Sequence, residues 1–307
     1  MRAALDIGTN SVRLLIAKVE GHNITPVAKE VRVTRLGQGV DANARLSESA
    51  MDRTLDVLAD LASKIPQDVP TTVFATSAVR DASNAKEFAQ RVRDRIGVTL
   101  EILSGAREAE LSFEGAVLSV QNLNLSDPVS VVDIGGGSTE IYTGLKSGVL
   151  LGGGSVQVGA VRMLERFITV HPLETRERAS MEQEIERLLQ PLVSRNQVLG
   201  PRSLIAVGGT ATSLAAIAQG LVEYDDDRVT GYAFSLAELV DIYDRLGRLS
   251  IAERSKISSL QEGREDVIVS GAAILVKVAE LMGMETIYVS AWDLLYGKLA
   301  FPVDEVG

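Results

Sequence analysis

The sequence predicts an α/β protein built from two copies of one domain type, each a mixed sheet flanked by helices, with a cleft between them. Three observations predict it. The run Val131-Val132-Asp133-Ile134-Gly135-Gly136-Gly137-Ser138-Thr139-Glu140-Ile141 reads as a buried β-branched strand, a tight glycine turn and a return strand. Near the N-terminus, Ala4-Leu5-Asp6-Ile7-Gly8-Thr9-Asn10-Ser11-Val12-Arg13 repeats that plan at an offset of 127 residues, with Asp6, Ile7, Gly8 and Ser11 in register with Asp133, Ile134, Gly135 and Ser138. After each pair of strands, further strands alternate with helical patterns, which implies right-handed crossovers onto a mixed sheet.

The first hairpin continues into a third strand at 24–33, giving an antiparallel meander. Ser47 opens a helix to about 65, with Leu55, Leu58 and Leu61 at helical spacing and Pro66 beyond it. A buried strand at 71–75 follows. Asn84 with Glu87 signals a capping box and a helix to about 96. A strand at 98–103 and a helix at 106–120 lead to the polar, turn-rich stretch 122–128, which divides the chain into domains at 1–126 and 127–292. A final helix at 293–307 is expected to cross back onto the first domain.

In the second domain the organising hairpin gains a strand at 148–152. Helices at 158–167 and 175–193 follow, then a strand at 204–207 running into Gly208-Gly209-Thr210 and an alanine-rich helix. The remainder reads as mainly helical, with capping boxes at Ser235/Glu238 and Ser250/Glu253, an apolar helix at 266–282 and a strand at 286–289. Asp225-Asp226-Asp227 reads as a solvated loop or lid tip, with a weak metal role as the alternative, and Trp292 as a core or interdomain residue.

Composition narrows the chemistry. With 46% hydrophobic and 23% charged residues over 307 positions, the chain is of globular type and long enough for two cores. It has no cysteine and two histidines, His22 and His171, which removes thiolate chemistry and makes histidine metal sites unexpected. The net charge of −10 argues against DNA, RNA or acidic membrane as partners. Asp6 interrupts any signal-peptide core and no apolar stretch suits a membrane span, so a cytoplasmic enzyme is the expectation.

Consecutive glycines after a strand leave backbone N–H groups free to cradle an anion. Asp133 and Glu140 bracket that cradle, and carboxylates beside a phosphate-sized nest make sense with a divalent cation between them. Two such loops facing one another would clamp a chain of phosphates.

The three loops around Asp6, Asp133 and Gly208 resemble those of the actin, sugar-kinase and heat-shock ATPase superfamily, which implies two duplicated ribonuclease H-like domains. Within it, Asp6 to Ser11, Ala75-Thr76-Ser77-Ala78-Val79-Arg80, Ser104-Gly105-Ala106-Arg107-Glu108-Ala109-Glu110-Leu111, Asp133 to Glu140 and Gly208-Gly209-Thr210 are similar to motifs of the exopolyphosphatase and guanosine pentaphosphate phosphohydrolase family. The resemblance implies hydrolysis of a terminal phosphoanhydride. It makes Glu108 the base that positions the attacking water and Arg80 a donor to the phosphoryl oxygens. Gly8, Thr9, Asn10 and Ser11 would contact phosphate from one side and Gly135, Gly136, Gly137 and Ser138 from the other, with Gly208, Gly209 and Thr210 beside them. Asp133 and Glu140, with Asp6, would hold magnesium or manganese. A homodimer is also implied.

Three departures stand out. Arg107 replaces a second carboxylate that many relatives carry beside the catalytic one. The segment Leu260-Gln261-Glu262-Gly263-Arg264-Glu265-Asp266 keeps the family's Arg and Asp without its usual proline, and the chain stops where long members add helical domains. Inorganic polyphosphate of short to moderate length is the leading substrate and guanosine pentaphosphate the next. A nucleotide-driven kinase or ATPase and a nucleotide-gated binding protein are the readings of a different kind.

Overall fold

A computed structural model describes residues 1–21 and 23–300; His22 and the 301–307 end of the expected last helix lie outside the described residues. The first half comprises β1 (Arg2–Ile7), β2 (Ser11–Glu20), β3 (Asn23–Val33), α1 (Val40–Asn43), α2 (Glu48–Ser63), β4 (Thr71–Ala75), α3 (Ser77–Arg80), α4 (Ala85–Ile96), β5 (Leu100–Ile102) and α5 (Gly105–Ser119). The second comprises β6 (Val129–Ile134), β7 (Thr139–Gly144), β8 (Leu150–Val156), α6 (Ala160–Phe167), α7 (Thr175–Gln197), β9 (Ser203–Val207), α8 (Gly208–Ala218) and α9 (Asp226–Val229). It closes with β10 (Ala233–Ser235), α10 (Leu236–Gly247), α11 (Ile251–Arg254), α12 (Ile268–Met282), β11 (Thr286–Val289) and α13 (Leu294–Ala300).

The two sheets have one plan. In the first the order is β3-β2-β1-β4-β5, antiparallel across the meander and parallel from β1 outward. In the second, β8-β7-β6-β9-β11 reproduces it and β10 adds an antiparallel edge. These are two ribonuclease H-like domains of the actin-like type. The central strands β1, β6 and β9 are covered on both faces, which is why they read as nearly unbroken apolar runs.

Local sequence explains most boundaries. Ser47 caps α2 by accepting from Ala50 N–H, and Ser250 with Glu253 forms the full reciprocal capping box on α11. Asn84 does something else. Its amide bonds both backbone groups of Leu46, at 2.9 and 3.1 Å, so it ties α4 to the loop before α2 instead of capping its own helix. The third strand of the second meander lies at Leu150–Val156, later than expected, because the 145–149 turn occupies the start of the expected range. The stretch before α10 holds the three-residue β10, too short for a period-2 signal.

The chain passes between domains at α5 and again before α13. Leu294, Leu295, Tyr296 and Leu299 of α13 pack with Ala4, Leu15, Phe74 and Leu111 of the first domain. α5 and α13 touch backbone to backbone: a Cβ on Gly297 would sit 2.0 Å from the Leu111 carbonyl oxygen and one on Gly115 2.2 Å from that of Asp293. Only glycine permits that approach. Trp292 stacks on Tyr296 at 4.6 Å beside this crossing.

Candidate active site

The loops after β1, β4, β6 and β9 all leave the same ends of their strands and converge between the domains. This is the crevice at the carboxyl ends of strands where open α/β sheets bind ligands. Asp6, Gly8, Thr9, Asn10, Ser11, Glu108, Asp133, Gly135, Gly136, Gly208 and Gly209 line a cavity of about 80 Å³. Arg13, Thr76, Ser77 and Arg264 line it too.

The two phosphate-loop candidates are built alike. Gly8 N–H donates to the Ser11 carbonyl at 2.9 Å, and Gly135 N–H donates to the Ser138 carbonyl at 3.0 Å. The loops also touch: a Cβ on Gly136 would lie 2.8 Å from Thr9 Cβ, and Thr9 Oγ1 is 3.0 Å from Ser77 Oγ. Both polar atoms of the Asn10 amide are buried without a protein partner, as is Asp6 Oδ1. Unsatisfied buried polar atoms are costly, and on a cavity wall they are where a polar ligand gains most.

The cross-strand partners of the two loops differ. Asp6 faces Arg13, which donates to Asp6 Oδ2 at 2.8 and 2.6 Å and also bonds Asp293. Asp133 faces Glu140. Ser112 donates to Asp133 Oδ2 at 2.7 Å and Ser155 to Glu140 Oε1 at 2.5 Å, and among the described residues no cationic side chain is bonded to either. Burial, then the nearby Asp293, pushes Asp133 up to about 6, and burial with Glu108 and Asp133 pushes Glu140 well above the usual carboxylate range.

Glu108 stands in the first turn of α5, whose N-cap Ser104 accepts from Arg107 N–H. It is 7% exposed, and Arg80 Nη1 donates to its Oε2 at 2.8 Å. Burial raises its pKa to about 7 against the opposing pull of Arg80, with Asp133 and Asp6 adding to the rise. Arg80 lies closer to Glu108 than to Asp81, from which it is 3.7 Å away, and its Nη1 also bonds the Leu103 carbonyl. Arg107 turns the other way and pairs with Glu110 at 3.0 Å.

The remaining candidates divide. Gly208 and Gly209 line the cavity, whereas Thr210 packs beneath them against Gly271 of α12. Gly137 and Ser138 stand behind the turn, Gly137 against Ser77. Two side chains at the site escape a reading by motif, Arg13 and Asp293, whereas Arg264 belongs to the 260–266 segment that carries a family-like motif. Arg264 lies over Gly209, its Nε donating to Gln261 Oε1 at 3.0 Å, and burial with Arg13 nearby lowers its pKa to about 10. Arg13 was findable, because the 127-residue offset aligns it with Glu140.

A hard divalent cation fits beside Asp133, which lines the cavity, although its cross-strand neighbour Glu140 is not among the lining residues. The donors are all oxygen, and Asp133 and Glu140 lie adjacent across β6 and β7 with carboxyl groups that resist ionising without a positive partner. Among the described residues no group of three or more His, Cys, Asp or Glu could hold a metal by itself. Magnesium is commonly held by one or two carboxylates, water and substrate phosphate, so the two-carboxylate set suits it. Among the described residues no helix is long and apolar enough to cross a membrane.

A model of the Ppx/GppA phosphatase family matches residues 15–300. Exopolyphosphatase 2 of Mycobacterium tuberculosis is 34% identical over 310 residues, covering 96% of each chain. The crystal structure of an exopolyphosphatase from Cytophaga hutchinsonii superposes with a TM-score of 0.88 at 30% identity, covering 97% of this chain and 96% of that one. The Aquifex aeolicus member of the Ppx/GppA family superposes with a TM-score of 0.80 at 30% identity, covering 97% and 95%.

Proposed function

The chain belongs to the Ppx/GppA phosphatase family and is a hydrolase acting on phosphoanhydrides, and on that premise we propose that it releases orthophosphate from the end of inorganic polyphosphate. The observation that carries this reading is Glu108, a buried carboxylate with a pKa raised to about 7, set on the wall of a cavity whose other walls are two anion-cradling turns. A base near neutrality both exists in the ionised form and accepts a proton readily at working pH.

In this mechanism the turns at Gly8 and Gly135 and the Asn10 amide orient the terminal phosphate, with Arg264 supplying positive charge. Glu108 accepts a proton from water as its oxygen bonds to the terminal phosphorus, and the bridging P–O bond breaks with its electrons going to the shortened chain. Arg80 is bonded to Glu108, which keeps the pKa of that carboxylate from rising further, and in this reading it would donate to the phosphoryl oxygens although it is not among the residues lining the cavity. Magnesium held by Asp133 and Glu140 would offset the charge of the phosphate chain. Asp6 has only Oδ1 to offer, since Arg13 occupies Oδ2.

A small cavity in a chain of net charge −10 favours short polyphosphate over long. The same reading includes a cytoplasmic location and a homodimer, the latter tested by sedimentation velocity. The deciding experiment measures orthophosphate release with magnesium from tripolyphosphate, long polyphosphate and guanosine pentaphosphate. Release chiefly from tripolyphosphate is expected. Release chiefly from the nucleotide would keep the catalytic residues and replace the substrate, and no release from any would reject the hydrolytic reading.

A further inference from the structure

Arg35 is an arginine in the left-handed region, at φ 53°, a conformation that residues with side chains rarely adopt. Its backbone explains what holds it there. The N–H groups of Thr34 and Arg35 both donate to the Asn10 carbonyl, at 3.0 and 2.9 Å, and Gly37 N–H donates to the Thr9 carbonyl at 2.9 Å. The 34–37 segment is thus bolted to the outside of the first phosphate loop. From that anchor the Arg35 side chain crosses to the second domain, where Nη1 donates to Asp266 Oδ2 at 2.8 Å and Nη2 to the Gly263 carbonyl at 3.4 Å.

Gly263 and Asp266 flank Arg264. On its other side the loop is held by Arg254, whose Nη1 donates to the Glu265 carbonyl at 2.8 Å. The arrangement settles an electrostatic competition. Asp266 is two residues from Arg264, yet it pairs with Arg35, and no carboxylate pairs with Arg264 among the described residues. Neither Arg35 nor Asp266 lines the cavity, whereas Arg264 does.

We propose that the Arg35–Asp266 pair is a cross-cleft strut that positions Arg264. It ties the loop carrying Arg264 to the phosphate loop at Asn10, and it withholds Asp266 from Arg264 so that the latter's positive charge stays available to an anionic substrate. Arg35 and Asp266 are positioning residues in this scheme and touch no phosphate themselves. The inference rests on the proposed binding of a phosphate chain in this cavity.

Removing Arg35 frees the loop and lets Asp266 fold onto Arg264. The test is a double-mutant cycle with Arg35→Ala, Arg264→Ala and the double variant. It is read as KM and kcat for tripolyphosphate hydrolysis, as the calorimetric Kd for tripolyphosphate, and as Tm to verify the fold. Arg35→Ala is expected to raise KM and Kd about tenfold with kcat changed far less, and to have almost no further effect once Arg264 is alanine. Arg35→Lys, which keeps a cation within reach of Asp266, should recover part of the loss.

Additive effects of the two alanine substitutions would overturn the strut, as would an Arg35→Ala variant with unchanged KM and Kd. If the unsubstituted chain binds tripolyphosphate without hydrolysing it, the proposed reaction fails, and the calorimetric cycle still decides the strut. If it does not bind tripolyphosphate at all, both ideas fall.

Discussion

The β1–β2 and β6–β7 hairpins share one plan at an offset of 127 residues, with the same turn hydrogen bond and the same Asp on the same strand end, and they differ in the charge of that Asp's cross-strand partner. Arg13 stands opposite Asp6, and Glu140 stands opposite Asp133. That exchange changes the charge balance of the hairpin. In the first, the positive charge is covalently built in and shared with Asp293, so the structure balances its own charge. In the second, two carboxylates adjoin with serines as their side-chain partners among the described residues, and both are pushed away from ionisation. A duplicated scaffold therefore carries a built-in positive charge opposite the Asp in one half and a second carboxylate opposite it in the other.

The contrast is most severely strained by removing the built-in cation. Arg13→Met leaves Asp6 and Asp293 buried beside one another without a positive partner, and breaking a buried pair in this way costs about 3–5 kcal/mol. Denaturant unfolding should show the loss; an unchanged midpoint would mean that the first hairpin does not depend on its own charge balance.

A smaller effect, on metal affinity, should separate the halves. Glu140→Gln is expected to raise the magnesium concentration at half-maximal orthophosphate release by about tenfold or more, equivalent to ~1.4 kcal/mol. Asp6→Asn should move that midpoint much less, because Arg13 already occupies one oxygen of Asp6. Equal shifts for the two variants would erase the distinction.

The acidic half should also declare itself in stability against pH. Asp133 and Glu108 have folded values raised to about 6 and about 7 from ordinary values of 3.8 and 4.5. Groups raised on folding hold protons that the unfolded chain has released, so their contribution is complete below pH 4 and is lost as pH climbs through 6 and 7. The metal-free protein should show a Tm lower at pH 8 than at pH 5 by on the order of 3 °C, with magnesium reversing the fall at pH 8. A Tm that rises over that range would contradict the raised values.

Much of this was readable in the sequence because the strongest signals are local. The strand at Thr71–Ala75 and that at Thr286–Val289 follow from short β-branched runs, and Ser47 and Ser250 mark helix starts by hydrogen bonds made within four residues. Where a side chain has a distant alternative, local logic fails. Asn84 resembles a cap but bonds Leu46, and Thr210 belongs to a glycine-rich loop but packs on Gly271. The site shows the same division. Glu108, the turns and the segment carrying Arg264 are visible as motifs, whereas Asp293 joins them only through tertiary folding, from 280 positions beyond Arg13.

The claim on which the rest depends is that Glu108 removes a proton during hydrolysis and does not hold the substrate. It is tested most directly by measuring kcat for orthophosphate release and the calorimetric Kd for tripolyphosphate side by side in Glu108→Gln. The account predicts a loss in kcat of about 10²–10⁴-fold, the usual contribution of general base catalysis, with Kd within about threefold of the unsubstituted protein. Parallel losses in kcat and affinity, or turnover that survives the substitution, would contradict it.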